Sequence, residues 1–338
     1  MKAPLPLALT MGEPAGIGAE LTLLAWQRRG AAAPPPFFVI DDPARLERLA
    51  MALGWSVPVR AVAGPEDVAM VFPEALPVVP VALRRPVTVG RPDPANAPAV
   101  IEAITTGVAL TAQGRAAALV TNPIQKEALY AAGFRHPGHT EFLAELAGGA
   151  EHAMMLACPE LRVVLVTIHL PLREALAALS TEKIVAVGRI AAAGLARDFA
   201  IARPRLAVAA LNPHAGEHGA LGREEIDIIA PAVAALRAAG IAADGPAPAD
   251  TLFHPAARRR YDAVLCMYHD QALIPLKTID FARGVNVTLG LPFIRTSPDH
   301  GTALDIAGTG KADPTSLVAA LKLAGEMAER RAAQRSPA

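Results

Sequence analysis

Three histidines each follow a stretch whose apolar residues predict a buried β-strand. In an open α/β sheet, ligands bind at the carboxyl ends of the strands, so three imidazoles there could converge on one divalent metal ion. The alternative for each is a hydrogen-bonded loop histidine, and the long separations match no local metal motif. Imidazole donors favour Zn2+ or Co2+, while Mg2+ and Mn2+ are conceivable. The three are His169 after residues 163–168, His214 after 206–211 and His269 after 263–268.

A second group of polar side chains lies within strongly apolar sequence. Lys277, Asn286 and Arg295 recur there at roughly equal spacing. Charged groups in such surroundings are unfavourable unless they are paired. An incoming phosphate or carboxylate is one possible partner. Internal ion pairs with Asp280 or Asp299 are the other.

A glycine-rich segment, GEPAGIG at residues 12–18, lies between a predicted strand and a predicted helix. Its backbone N–H groups and the helix N-terminus could hold an anion. The glycines could equally serve only to allow a tight turn. The segment lacks the spacing of the dinucleotide fingerprint and the Lys-Ser/Thr of a nucleotide phosphate loop.

Two further polar segments are candidate binding loops. PGHTEF, at residues 137–142, places His139 and Thr140 at a predicted helix start, where Thr140 could cap the helix. LNPHAGEHGALGREEID, at residues 211–227, is a long polar excursion between a strand and a helix, which is typical of a binding loop.

The composition excludes several classes of protein. The 32 basic and 32 acidic residues balance, and aromatic residues make up only 4% of the chain. Neither nucleic acid nor an anionic membrane is therefore an expected partner. Two cysteines, Cys158 and Cys266, exclude a disulfide framework and are expected to be buried. No apolar run is long enough to span a bilayer, so we expect a cytoplasmic protein that acts on small molecules.

Predicted strands and helices alternate from end to end, which indicates an α/β fold with a mostly parallel sheet. With 338 residues, 52% of them hydrophobic, the chain is expected to form two α/β/α domains with a cleft between them. The first predicted domain combines residues 1–125 with residues 276–338. The second, residues 126–275, carries the three histidines.

Several long motifs together resemble the 4-hydroxythreonine-4-phosphate dehydrogenase family of vitamin B6 biosynthesis. The resemblance extends over nearly the whole chain. It implies that His169, His214 and His269 hold a divalent metal. It also implies a homodimer whose active site uses residues from both subunits, with dimer contacts in the second predicted domain. The motifs are MGEPAGIG, PGHTEF, LNPHAGE with EEID, PADTLF, MYHDQ and GVNVTLGLPFIRTSPDHGTALDIAG.

The resemblance also assigns the substrate contacts, which would fix the phosphate and carboxylate of the substrate. Two aspartates are candidates for the proton acceptor: Asp250 in PADTLF and Asp270 beside His269. Each could equally orient a metal-bound imidazole. The implied substrate contacts are His139, Thr140, Lys277, Asn286 and Arg295.

A second, local resemblance concerns the cofactor. DHGTALDIAGTGKADP, at residues 299–314, is similar to the loop of isocitrate and isopropylmalate dehydrogenases that holds the adenosine end of NAD(P). It implies a fold like theirs and explains how a dehydrogenase could lack the Rossmann fingerprint. The implied cofactor-binding residues are His300, Gly301, Thr302, Asp305, Gly308 and Asp313.

The reaction implied by the family is oxidation of the C3 hydroxyl of 4-hydroxy-L-threonine 4-phosphate with hydride transfer to NAD(P)+. The resulting β-keto acid loses CO2 and gives 3-amino-2-oxopropyl phosphate, and the metal eases both steps. The nearest alternative is a paralogue that oxidises 4-phospho-erythronate or 4-phospho-threonate. A three-histidine hydrolase or acyltransferase, and a non-catalytic binding protein for phosphorylated metabolites, are more distant alternatives.

Overall fold

Strands and helices alternate along the chain, in agreement with the sequence prediction. The structure is a computed structural model that describes residues 4–32 and 34–335. The strands are β1 (Leu7–Thr10), β2 (Phe37–Asp41), β3 (Val59–Ala61), β4 (Leu76–Pro80), β5 (Leu119–Thr121), β6 (Ala153–Cys158), β7 (Leu161–Leu165), β8 (Arg205–Ala209), β9 (Ala242–Ala247), β10 (Ala263–Cys266), β11 (Val285–Leu289) and β12 (Arg295–Pro298).

Several of the helices that follow the strands begin at capping residues or prolines. Asp42 caps one of them by accepting a hydrogen bond from the Arg45 N–H at 3.0 Å, and Ser180 caps another. The α-helices are α1 (Gly18–Gln27), α2 (Arg29–Ala32), α3 (Pro43–Ala52), α4 (Val68–Val71), α5 (Ala97–Ala112), α6 (Lys126–Ala131), α7 (His139–Leu146), α8 (Leu172–Ala177), α9 (Thr181–Phe199), α10 (Ala230–Ala238), α11 (Pro255–Arg258), α12 (His269–Ile279) and α13 (Thr315–Arg335).

The chain forms two compact units, each made of two stretches of sequence. The first contains residues 1–150 and 291–328, and the second contains residues 151–290 and 329–338. These bounds differ from the predicted ones. Helices α6 and α7 lie in the first unit, where α7 packs on α5, whereas α12 and β11 lie in the second, where both contact β6.

The sheet of the first unit is entirely parallel. Its strand order is β3-β4-β2-β1-β5-β12. Central strands such as β1 and β2 are buried along their whole length, which explains their continuous apolar sequences. The carboxyl ends of β1 and β5 lead into the segments that follow Thr10 and Thr121.

The sheet of the second unit has the order β11-β6-β7-β10-β8-β9. Strand β6 is antiparallel to both of its neighbours, and the other pairs are parallel. The prediction of a mostly parallel sheet is confirmed, and β6 is the antiparallel exception to it. Only residues 159–160 separate β6 from β7, and so short a connection can join only antiparallel strands. Cys158 and Cys266 lie in the core of this unit and are both free thiols, as expected.

Two other stretches have notable local structure. The proline- and glycine-rich residues 64–98 include β4, which is paired on both sides. A π-helical turn, Glu225–Ile229, comes directly before α10. No described helix is both long and apolar enough to cross a membrane.

Candidate active site

Strands β7, β10 and β8 are adjacent and parallel, so their carboxyl ends lie at one edge of the sheet in the second unit. His169, His269 and His214 follow these three strands in that spatial order. The imidazole rings of His169 and His269 are neighbours, with centroids 5.6 Å apart. Both line a cavity of about 300 Å³. The complete lining is Ile168, His169, Leu170, Leu172, Ala175, Tyr268, His269 and Asp270.

His214 lies apart from this pair of rings. Its side chain is 68% exposed, and its Nδ1 is 2.7 Å from Oε1 of Glu217. This hydrogen bond raises the pKa of His214, and the charges of Glu217 and Asp250 add to the effect. Within residues 4–32 and 34–335, no three His, Cys, Asp or Glu side chains are arranged to hold a metal ion. The structure thus brings together two of the three predicted ligands.

The loop that carries His214 has an unusual backbone. Residues 214–218 all have positive φ angles, between 42° and 78°, and four of the five are not glycine. A left-handed conformation costs roughly 1–2 kcal/mol for each non-glycine residue. Such a loop persists only if its surroundings hold it.

The buried carboxylate of Glu225 holds the start of this loop. Its Oε1 accepts hydrogen bonds from the backbone N–H groups of Leu211 and Asn212, both at 2.7 Å. Its Oε2 accepts a third from the Asn212 side chain at 2.9 Å. Burial alone would raise the pKa of Glu225, but these hydrogen bonds outweigh it and the pKa is lowered. Glu225 belongs to the EEID motif, but its role could not be inferred from the sequence.

Two other polar residues missed by sequence reasoning join the ends of the three strands. The Gln271 side chain donates to the Ala210 carbonyl at 2.6 Å and accepts from the Met267 N–H at 2.7 Å, which links the segment after β8 to the segment after β10. The Thr167 hydroxyl donates to the Met267 carbonyl at 2.7 Å. For Thr167 the available signal was its polarity within an apolar run, and for Gln271 it was the MYHDQ motif.

The two candidate proton acceptors have different surroundings. Asp270 Oδ1 lies 2.7 Å from Nδ1 of His269, so the carboxylate orients that imidazole. Asp250 is exposed in the short turn Ala249–Thr251, and its negative charge helps to raise the pKa of His214.

Two of the predicted substrate contacts also belong to the second unit. Lys277 lies in the last turn of α12 with its Nζ 5.3 Å from the centroid of the Phe281 ring. Asn286 lies on β11, and its Oδ1 is buried with no hydrogen-bond partner among the described residues. A buried acceptor of this kind is suited to a ligand that donates a hydrogen bond. Asp280, one predicted internal partner of these groups, is 2.6 Å from Nε of Arg283.

The other predicted substrate contacts are in the first unit. Arg295, at the start of β12, is only 4% exposed and donates from Nη2 to the Thr121 hydroxyl at 2.8 Å. Burial lowers the pKa of Arg295 to about 10, so it remains a cation at neutral pH. His139 lies at the start of α7. Its burial, together with the charge of Arg295, lowers the pKa of its imidazole well below the ordinary value.

The capping prediction for Thr140 is wrong. Helix α7 already begins at His139, its N-cap is the extended residue Gly138, and no side chain caps it. Thr140 is therefore one residue inside the helix, beyond the position from which a hydroxyl reaches the first free N–H groups. The Nε2 atom of His139 is buried and has no hydrogen-bond partner among the described residues.

The predicted cofactor loop forms a series of turns in the first unit. His300 Nδ1 lies 2.9 Å from the carbonyl oxygen of Gly301, while its Nε2 is shielded and has no described partner. Asp313 accepts hydrogen bonds from the N–H and hydroxyl of Thr315 at 3.0 and 2.6 Å, and these bonds lower its pKa. Its side chain therefore stabilises the start of α13. Gly301 and Asp305 are exposed.

Known proteins resemble this chain over almost its full length. The family model of the pyridoxal phosphate biosynthetic protein PdxA matches residues 33–324. A 4-hydroxythreonine-4-phosphate dehydrogenase of Caulobacter vibrioides is 59% identical over 96% of this chain and 98% of its own length. The crystal structure of the enzyme of that name from Klebsiella pneumoniae has a TM-score of 0.88 and 40% identity, covering 96% of this chain and 99% of that one.

A crystal structure of a protein named for a different activity also matches. Terephthalate 1,2-cis-dihydrodiol dehydrogenase from Burkholderia xenovorans has a TM-score of 0.65 and 29% identity, covering 96% of this chain and 98% of its own. This protein shares its fold with these structures and belongs with relatives that are named dehydrogenases, so it is an α/β dehydrogenase. This confirms the predicted fold class and enzyme class. The chain belongs to the pyridoxal phosphate biosynthetic protein PdxA family.

Proposed function

We propose that this enzyme oxidises and decarboxylates 4-hydroxy-L-threonine 4-phosphate to 3-amino-2-oxopropyl phosphate with NAD(P)+, as a step of pyridoxine 5′-phosphate biosynthesis. The observation that carries the proposal is the 59% identity, over 96% of the chain, to a relative named for this substrate. The relatives are named for 4-hydroxythreonine-4-phosphate, which favours this substrate over 4-phospho-erythronate and 4-phospho-threonate. The expected cytoplasmic location stays a prediction.

The donor set supports one divalent metal ion bound by His169, His214 and His269. His169 and His269 have adjacent rings, and the three residues follow three adjacent strands. A bound divalent ion would act as a Lewis acid that polarises the substrate hydroxyl and carbonyl oxygens. Asp270 accepts a hydrogen bond from Nδ1 of His269, and Glu217 accepts one from Nδ1 of His214. Nε2 of each ring is therefore left for metal coordination.

The remaining residues would bind the charged groups of the substrate. Lys277 and Arg295 supply the positive charge, and Asn286 and His139 each present a buried polar atom that a ligand can satisfy. Because its pKa is depressed, His139 would remain neutral and act as a hydrogen-bonding group that carries no net charge. Thr140 lies beside His139. Asp250 stays the candidate proton acceptor, since Asp270 is engaged with His269.

We infer that the adenosine end of NAD(P) binds the loop 300–313. The partnerless Nε2 of His300 supports this assignment. His300, Gly301, Thr302 and Asp305 are the proposed contacts. Gly308 and Asp313 are proposed to shape the loop, because the N–H of Gly308 and the carboxylate of Asp313 are hydrogen-bonded within the protein.

We propose that the enzyme is a homodimer that shares its active site between subunits. The outer face of α12 supports this arrangement, because Ile274 and, just beyond the helix, Phe281 are 62% and 77% exposed. Large apolar side chains exposed close together are typical of an interaction surface. This helix begins with His269, so a second copy packed there would lie beside the proposed metal ligands.

A turnover assay tests the proposed function. The purified enzyme, supplied with a divalent metal and NAD+ or NADP+, is offered 4-hydroxythreonine phosphate, 4-phospho-erythronate and 4-phospho-threonate in parallel, and NAD(P)H absorbance is followed. We expect kcat/KM to be at least a hundredfold higher for the first substrate, with release of CO2. A preference for either sugar-acid phosphate would refute the substrate assignment.

A further inference from the structure

In the glycine-rich segment 12–18, the backbone N–H groups from Glu13 to Ile17 are all engaged within the protein and are not available to a ligand. Pro14 has no N–H, and each of the other four N–H groups donates to an oxygen of the protein. This disfavours an anion-binding role for the segment. The four bonds are Glu13 N to Pro123 O at 2.8 Å, Ala15 N to Glu13 Oε1 at 3.0 Å, Gly16 N to Glu13 O at 3.1 Å and Ile17 N to Thr302 O at 3.0 Å.

One of these bonds joins the segment to the predicted cofactor loop, and the two backbones are in close contact. A Cβ atom on Gly16 would lie 2.8 Å from the carbonyl oxygen of Thr302. A second glycine, Gly90, donates to the Ala15 carbonyl at 2.8 Å, and a Cβ there would lie 2.9 Å from the carbonyl oxygen of Leu304. Glycine is therefore required at both positions because larger residues would separate the segments.

Glu20, in the first turn of α1, links α1 to the loop through its side chain. Its side chain is 1% exposed, and its two carboxylate oxygens accept hydrogen bonds from the backbone N–H groups of Gly308 and Gly310, the latter at 3.1 Å. Both glycines have left-handed backbones, with φ of 73° and 71°. A buried carboxylate that accepts two N–H groups holds the loop in a conformation that most residues would not adopt.

We propose that Glu20 is a positioning residue for cofactor binding, and that segment 12–18 and Glu20 together form the rigid support of the loop 300–313. This rests on the proposed function, because it assumes that the loop binds NAD(P). The support aligns the loop before the cofactor arrives, which reduces the loss of conformational entropy on binding. Loop support thus explains the glycine at position 16, whereas Gly12 and Gly18 lie against Asn122.

The test uses the full-length enzyme with Glu20→Gln, which keeps the shape of the side chain but replaces one acceptor oxygen with a donor. We expect hydrogen exchange of the metal-loaded, cofactor-free enzyme to become faster in peptides that cover residues 300–313. We also expect the dissociation constant for NAD(P)H, measured by fluorescence, to rise at least tenfold. The KM for the phosphorylated substrate and kcat at saturating cofactor are expected to stay within threefold, which a general loss of stability would not produce.

The matched control is Glu102→Gln, which removes the same charge from an exposed position on α5. Glu20→Asp, whose shorter side chain cannot reach both N–H groups, is a second variant of the same contact. If both Glu20 variants fail to fold, Gly310→Ala displaces the contact from the loop side, because φ of 71° is unfavourable for alanine. Unchanged exchange and unchanged cofactor affinity in the folded variants would overturn the proposal.

A loop variant separates failure of this inference from failure of the cofactor assignment. Gly301→Val combined with Asp305→Ala alters the exposed part of the loop directly. If this variant weakens NAD(P)H binding and Glu20→Gln does not, Glu20 has no positioning role. If neither variant changes the affinity, the cofactor binds elsewhere and the proposed cofactor site is wrong.

Discussion

The imidazole of His139 is subject to two effects that both disfavour its protonation: its burial, and the positive charge of Arg295. The depressed pKa links this residue to the stability of the protein as well as to its proposed contact with substrate. In the unfolded chain a histidine protonates near its ordinary pKa of 6.5, whereas in the folded protein His139 stays neutral to much lower pH. Stability from this residue is therefore complete above pH 6.5 and decreases as the pH falls below it.

The change His139→Gln tests this linkage. Between pH 7.5 and 5.5 the wild-type free energy of unfolding should decrease by up to about 1.4 kcal/mol more than that of the variant, because only the wild-type unfolded state gains this proton. Urea unfolding curves at the two pH values measure the difference. His218→Gln, at an exposed histidine of the loop 211–227, is the control and should behave like wild type. Equal pH dependence in wild type and His139→Gln would contradict the assignment.

At the scale of elements, a buried acidic side chain stabilises a loop that carries proposed site residues. Glu225, at the start of the π-helical turn, accepts two backbone N–H groups of the loop that bears His214. This loop has five consecutive left-handed residues, so it depends on contacts outside itself. If His214 is a metal ligand, loss of Glu225 should weaken metal binding without removal of any ligand.

We expect Glu225→Gln to weaken binding of Zn2+ or Co2+ by about 10–100-fold, the usual effect of altering groups that orient metal ligands. Metal titration by calorimetry, with metal content after dialysis, measures the change, and His214→Ala provides the reference for loss of a ligand. Asp227→Asn is the matched control, since Asp227 lies in the same turn but is exposed and paired with Arg223. Wild-type metal affinity in a folded Glu225→Gln enzyme would exclude this role.

At the scale of the whole molecule, the second unit carries the exposed apolar residues that the proposed dimer would bury. Ile274 lies on the outer face of α12, one turn after Asp270, and Phe281 follows the end of the helix. Burial of each such side chain contributes about 1.5–3 kcal/mol, and in a twofold dimer each contributes twice. The assembly should therefore be sensitive to a charge on this face.

The double change Ile274→Asp with Phe281→Asp is expected to raise the dimer dissociation constant at least a hundredfold, with loss of turnover at low protein concentration. Analytical ultracentrifugation across a concentration series measures the constant. Met51→Asp with Met70→Asp, at exposed apolar residues of the first unit, is the control for charge added to the surface. An unchanged dissociation constant in the α12 variant would place the interface elsewhere.

The sequence alone determined the alternation of strands and helices, because apolar runs and capping signals are local. The apolar residues before His169, His214 and His269 form strands, as expected. Long motifs were also enough to recognise the family, since runs of this length and specificity rarely recur by chance.

Tertiary structure alone decided which side chains support the site. The antiparallel strand β6, the tie between Gln271 and Ala210, and the contact of Glu20 with Gly308 and Gly310 join residues up to 290 positions apart. A local sequence pattern does not identify such distant partners. A carboxylate such as that of Glu20 accepts backbone N–H groups, and every residue type except proline has one. For the same reason the role of segment 12–18 remained open from its sequence, and it became clear only from the approach of the loop 300–313.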